Sequence, residues 1–202
     1  MNYDFNAISK KLKKELDEER YIHTLGVMYT AAAMAMAYGY DVKKAQVAGL
    51  LHDCAKCIPN DKKIRLCEKH KIEISEIERK APFLLHAKLG AYLAKEKYGI
   101  EEEEILSSIR WHTTARPGMT LLEQIVFLAD YIEPGRYKAK HLDEVRKLAF
   151  QDLDECTYEV LKDTLDFLKD NPKTLDCTTK EAFAYYEELH FKKVKQEDTY
   201  DK

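Results

Sequence analysis

The chain has 202 residues, 45% of them apolar and 34% charged, which is enough for one packed domain with a well-solvated surface. Seven Gly and five Pro are too few for the turns of an all-β fold, and 33 basic against 36 acidic residues exclude a general nucleic-acid coat. No charged and apolar leader with a cleavage site opens the sequence, and the longest uncharged run, Thr24 to Tyr40, falls short of the roughly 20 apolar residues of a bilayer span. The expectation is a cytoplasmic protein with no membrane segment.

Helical spacing dominates from the first residues. Phe5, Ile8, Leu12 and Leu16 recur at intervals of three and four, and the Ala- and Met-rich run from Thr24 reads as a buried helix opened by His23. Asp41 is placed to cap a helix carrying Ala45, Ala48 and Leu51, and Asn60 to cap one carrying Ile64 and Cys67. Pro82 opens a helix through Leu85, Leu89 and Leu93 that stops near Gly99. The acidic block Glu101 to Glu104 suits a helix N-terminus, where the macrodipole favours negative charge. Thr120 and Glu123 form a capping box before the apolar run Ile125 to Ile132, which Pro134 and Gly135 end. Two more helices carry Leu153 to Leu168 and Ala182 to Leu189.

No alternating strand, repeat or linker interrupts this pattern. The fold class is therefore all-α, a single helical bundle of eight to ten helices. Its divisions are an N-terminal helix over 1–20, a main helical domain over 21–191 and a polar tail over 192–202 expected to fray. The last two helices are the one candidate for a small appendage. Five Cys fit reduced thiols better than a disulfide framework. Cys54 and Cys57 form a C-x-x-C with no second pair to complete a zinc knuckle, so packing accounts for them.

The chemistry lies in where His and Asp stand. His23, His52, Asp53, His86, His112 and Asp130 sit among apolar helix positions, where ionisable groups are costly unless paired or bound to metal. Consecutive helix residues project about 100° apart, so His52 and Asp53 cannot both enter a core, but they can straddle one ion beyond a helix end. His23 and Asp130 complete the shell from other helices. Neutral imidazole with carboxylate suits iron, manganese, zinc or cobalt. His86 and His112 are open between joining these ligands and another role beside them. His70, His141 and His190 stand among charged or loop-like neighbours and are read as surface residues.

Ala48-Gly-Leu-Leu-His-Asp-Cys-Ala-Lys56, Leu84-Leu-His86, Trp111-His-Thr-Thr114 and Ala129-Asp-Tyr-Ile-Glu-Pro-Gly-Arg136 resemble the HD-domain phosphohydrolase superfamily. Within it they resemble the symmetrical bis(5′-nucleosyl)-tetraphosphatases, and Asn171-Pro-Lys-Thr-Leu175 resembles that family's late substrate-contacting stretch. The likeness covers Tyr21 to Leu189, with departures at Asn171, where a His is usual, and at Ala115-Arg116, where a Gly is.

The resemblance implies cleavage of diadenosine tetraphosphate, or a related dinucleoside polyphosphate, into two ADP with one or two divalent ions, iron favoured. It implies catalytic roles for Asp53, Asp130, His86 and His112, with Asp53 or Asp130 accepting the proton of the attacking water. It implies substrate contacts from His23, Asp53, Cys54, Ala55, Lys56, His86, His112, Thr113, Asp130 and Arg136, and from the stretch Lys173, Thr174, Leu175, Asp176, Cys177 and Thr178. Lys56 and Arg136 are the cations for phosphate oxygens, and Thr113 offers a hydroxyl. Trp111, Tyr131 and Tyr137 are candidates for nucleobase contact. The rival readings are another HD hydrolase acting on nucleoside monophosphates, diphosphates or cyclic nucleotides, and a non-catalytic metal-bound sensor. No nucleic acid polymer is implied as partner, and a homodimer is left open because no heptad run demands one.

Overall fold

Short polar residues set the helix starts. In the computed structural model, which describes residues 3–137, 139, 141–169 and 176–200 with side chains through 196, Asp4, Asp17, Asp41, Ser75, Thr120 and Asp152 each accept a backbone N–H of the first helical turn. The helices are α1 (Phe5–Leu12), α2 (Glu18–Ala37), α3 (Val42–Leu51), α4 (Asn60–Lys69), α5 (Glu76–Lys80), α6 (Leu85–Tyr98), α7 (Glu103–Trp111), α8 (Leu121–Ile132), α9 (Leu142–Leu148), α10 (Leu153–Leu168) and α11 (Cys177–Tyr200). A 3₁₀ turn over Pro82–Leu84 leads into α6. No strand occurs among the described residues.

The all-α expectation holds, with eleven helices among the described residues in place of eight to ten. The extra ones, α5 and α9, have five and seven residues, too short for periodicity to register. Asn60 is not a cap. Pro59 precedes α4 without a side-chain bond, and the Asn60 amide oxygen accepts from Lys63 Nζ instead. His23 does not open its helix, which starts one turn earlier at Glu18. Gly99 stops α6 at φ 72°, a left-handed angle that glycine adopts without strain.

One apolar core joins α1, α2, α3, α7, α8, α10 and α11, and a smaller cluster of Ala55, Cys67, Leu85 and Leu89 lies under α4 and α6. Ile8 and Leu12 of α1 belong to the main core, as do Ala182 and Tyr186 of α11. α11 continues as exposed helix past Lys192. Gly49 lets α3 press on α2, since a Cβ there would stand 3.0 Å from Met28 Cα and 3.1 Å from the Val27 carbonyl. This contact sets α2 and α3, which carry His23 and His52, side by side. No described helix is long and apolar enough to cross a membrane.

Candidate metal centre

Helix ends leave their last carbonyls without intrahelical partners. His52 directly follows α3 and His112 directly follows α7, and each ring turns back so that Nδ1–H donates to the carbonyl three residues earlier, Gly49 at 2.7 Å and Ile109 at 2.7 Å. His86 does the same to Phe83 at 2.6 Å. His23, in the second turn of α2, donates from Nδ1 to Glu133 Oε1 at 3.0 Å. Each ring thus donates from Nδ1, which in a neutral imidazole leaves the Nε2 lone pair turned to the shared centre.

Those lone pairs face carboxylates. His23 Nε2 lies 3.0 Å from Asp130 Oδ1 and 3.9 Å from Asp53 Oδ2, and His52 Nε2 lies 3.5 Å from Asp53 Oδ2 and 3.8 Å from Asp130 Oδ1. His86 and His112 approach the other oxygen, Asp53 Oδ1, at 3.2 and 3.4 Å, and their Nε2 atoms are 3.2 Å apart. His23 Nε2, His52 Nε2 and Asp53 Oδ1 are buried with no hydrogen-bond partner. Lone pairs opposing lone pairs at this range repel unless a cation lies between them. Metal bonds of about 2.1 Å hold neighbouring ligand atoms about 3.0 Å apart or somewhat more, which matches these separations. The donor set fits a divalent ion, and two groups, His23 with His52 and Asp130, and His52 with Asp53 and His112, have ligand atoms close enough to hold one.

Electrostatics agree with that fit. Burial pushes the His86 imidazole down to about 4, so it stays neutral. Burial alone would raise the Asp53 and Asp130 carboxyls, but the surrounding imidazoles, with Arg136 at Asp130, hold both well below the ordinary carboxylate range. Burial works against a charge on His52 as well, yet Asp53 and Asp130 overcome it and raise its affinity for a proton. The site asks for positive charge at His52 Nε2, and a metal ion answers the same demand.

Above the cluster opens a cleft of about 790 Å³ whose lining includes Arg20, His23, Lys56, His112, Thr113, Asp130, Tyr131, Arg136 and Tyr137. Lys56 Nζ stands 3.1 Å from His86 Nε2 and 3.5 Å from Asp53 Oδ1. Thr113 Oγ1 lies 3.1 Å from His86 Nε2 and 3.0 Å from His112 Nε2. Arg136 is not a free cation. Its Nη2 donates to Asp130 Oδ1 at 2.6 Å and its Nε to the Asp130 carbonyl at 2.9 Å.

Sequence reasoning missed two groups. Arg20, three residues before His23 on α2, donates from Nη1 to Asp53 Oδ2 at 3.0 Å, and its spacing from His23 was the available signal. Glu133 is buried, orients His23, and accepts the Gly135 N–H at 2.6 Å through Oε2. A carboxylate behind a ligating histidine fixes its ring and raises its basicity. Gly26 makes this possible, because a Cβ there would meet Glu133 Oε2 at 2.5 Å.

Other expected contacts lie elsewhere. Cys54 is buried in the main core with its Sγ donating to the Gly90 carbonyl, and Ala55 is buried in the smaller core, so both side chains turn away from the cleft. Asp176 caps the start of α11 by accepting the Thr178 N–H at 2.8 Å, and Cys177 is exposed beside it. Neither these residues nor Thr178 line the cleft. Lys173, Thr174 and Leu175 lie outside the described residues, as do Asn171 and Pro172. Tyr131 and Tyr137 line the cleft, whereas Trp111 does not and is paired with Arg110.

The family model of the HD domain matches residues 20–135. The symmetrical bis(5′-nucleosyl)-tetraphosphatase of Bacillus subtilis (strain 168) is 45% identical over 157 residues, 78% of this chain and 83% of that protein. The protein of the same name from Staphylococcus aureus (strain NCTC 8325 / PS 47) is 36% identical over 181 residues, 88% of this chain and 92% of that one. A crystal structure of an HD superfamily hydrolase from Clostridium acetobutylicum, described as involved in NAD metabolism, is 41% identical and superimposes with a TM-score of 0.89 over 94% of this chain and 100% of that one. The matched span runs from Arg20 through the turn after α8 and contains every residue of the His and Asp cluster, so the chain belongs to the HD domain family.

Proposed function

We propose that this chain is a metal-dependent hydrolase that cuts diadenosine tetraphosphate at the centre of its phosphate chain and releases two ADP. The observation that carries the reading is the convergence of His23, His52, Asp53 and Asp130, the first three with buried polar atoms that lack a hydrogen-bond partner, beside a cation-rimmed cleft that His23 and Asp130 line. The names and extent of the relatives support the choice of substrate. Iron is the favoured metal, and manganese, cobalt or zinc also suit this donor set. A bound divalent ion supplies Lewis-acid polarisation of a phosphoryl oxygen and lowers the pKa of a coordinated water.

The chain's own groups divide the remaining work. Lys56 offers a point charge to phosphate oxygens, and Arg20 and Arg136 offer planar forks whose partners here are the ligand carboxylates. Thr113 offers a hydroxyl to the same oxygens. Water attacks a central phosphorus, and the bridging P–O bond to the leaving ADP breaks. Asp53 or Asp130 accepts the water's proton at a carboxylate oxygen. Asp53 Oδ1 faces His86 and His112 while Oδ2 faces His23 and His52, so His86 and His112 would hold a second ion with Asp53 if one binds.

Product analysis of the purified protein acting on diadenosine tetraphosphate tests the reaction. ADP as sole product is expected, and a mixture of AMP and ATP overturns it. His52→Ala is expected to lose bound metal and at least about a thousandfold in kcat/KM. Elemental analysis finding one ion per active chain would assign His86 and His112 to phosphate.

A further inference from the structure

A second concavity of about 640 Å³ adjoins the cleft and shares Gly26, Tyr29 and Pro134 with it. Its chemistry is different. The main cleft carries Arg20, Lys56 and Arg136, whereas the second is lined mainly by apolar groups and no carboxylate lines it among the described residues. Its one charged group, Arg146, is committed from Nε and Nη2 to the carbonyls of Ile132, Glu133 and Arg136. Tyr29 and Phe150, two large rings in its wall, are 64% and 44% exposed. An uncharged, flat, apolar body suits such a space, and a phosphate does not.

The proposed substrate is two-ended, with a nucleoside at each end of a chain cut in the middle. Tyr29 stands six residues beyond His23, about 9 Å along α2, so the second concavity opens on the same helix that carries His23 into the cluster. We infer that the second concavity receives the distal nucleoside of the dinucleotide, its base stacked against Tyr29 and Phe150. The inference rests on the function proposed above and adds to it a reason for preferring dinucleotides to mononucleoside polyphosphates.

Steady-state kinetics of the metal-loaded full chain test it. Tyr29→Ala is expected to raise KM for diadenosine tetraphosphate about tenfold, the scale of one lost base-stacking contact. Phe150→Ala should act in the same direction, and Tyr29→Phe should restore the parent value. Adenosine 5′-tetraphosphate carries the same phosphate chain with one nucleoside, and its Ki as a competitive inhibitor should move less than twofold in Tyr29→Ala. Unchanged KM in both alanine variants, or equal shifts for both nucleotides, overturns the inference and leaves the hydrolase reading intact. Sedimentation showing a dimer that Tyr29→Ala dissociates assigns this face to a second copy and also overturns it. A parent protein that makes no ADP from the dinucleotide instead sinks the function on which the inference stands.

Discussion

At the scale of single residues, the cluster depends on groups that stand behind its histidines. His23 presents Nε2 inward because Glu133 Oε1 holds Nδ1, and Glu133 reaches it by lying across α2 where Gly26 has no side chain. Gly26→Ala should therefore act as a mutation of the metal site although no ligand is changed. Its Cβ would drive against a buried carboxylate that also holds the Gly135 N–H, so the acid cannot simply swing away. Metal affinity should fall roughly ten- to a hundredfold, the usual cost of losing an outer partner of a ligating histidine. Titration of the metal-free variant with the divalent ion measures this directly, and excess metal should recover part of kcat. Glu133→Gln keeps an acceptor oxygen and should show a smaller loss. The clustering was legible because ionisable groups on apolar faces demand an explanation, although helix spacing alone would have kept one of His52 and Asp53 out of the core and both are buried. Glu133 was not legible as a site residue, because sequence spacing does not say which acid meets which histidine across 110 residues.

At the scale of elements, the histidines stand at helix ends for a reason that also fixes their tautomer. The carbonyls of Gly49 and Ile109 lack helical partners, and the rings of His52 and His112 supply the missing N–H. Capping and ligand preparation are thus one interaction. Asp41, Thr120 and Gly99 announced their helix boundaries because short polar side chains and a left-handed glycine have few other uses there. Asn60 misled because its amide found a lysine ammonium, which competes with the backbone for the same oxygen. The relative placement of α2 and α3 was not legible, since it depends on Gly49 meeting backbone from another helix. Gly49→Ala tests that placement. Neither Met28 Cα nor the Val27 carbonyl is the end of a flexible chain, so the helices must part. A loss of about 1–3 kcal/mol in denaturant melts is expected. Activity should fall by more than the unfolded fraction explains, because α2 and α3 carry His23 and His52 of one shell. A stable variant of parental kcat/KM would show that the contact does not set the site.

At the scale of the whole molecule, helices distant in sequence meet at a cluster that is unfavourable without a cation, so metal and fold should stabilise each other. Binding to the folded chain alone adds roughly 2.7 kcal/mol at a hundredfold excess over Kd, and removal by a chelator should lower Tm by several degrees, reversibly. The pH dependence of the metal-free protein has a definite sign. His86 has a folded pKa of about 4, below its ordinary value of 6.5, because burial disfavours its charged form. The unfolded chain therefore binds this proton more readily, and stability should fall as pH drops from about 6.5 towards 4. His52 shifts the other way, but its contribution is complete once pH has fallen to 6.5, and the depressed Asp53 and Asp130 matter only below that window. Melts of the chelated protein at pH 7, 6 and 5 should show the decline, and His86→Gln, which cannot titrate, should flatten it. Restoring metal should raise Tm most at pH 7 and least at pH 5, since protons then compete for the His52 Nε2 lone pair. A metal-induced rise in Tm that stays constant from pH 7 to pH 5 would mean that the imidazoles are not the ligands.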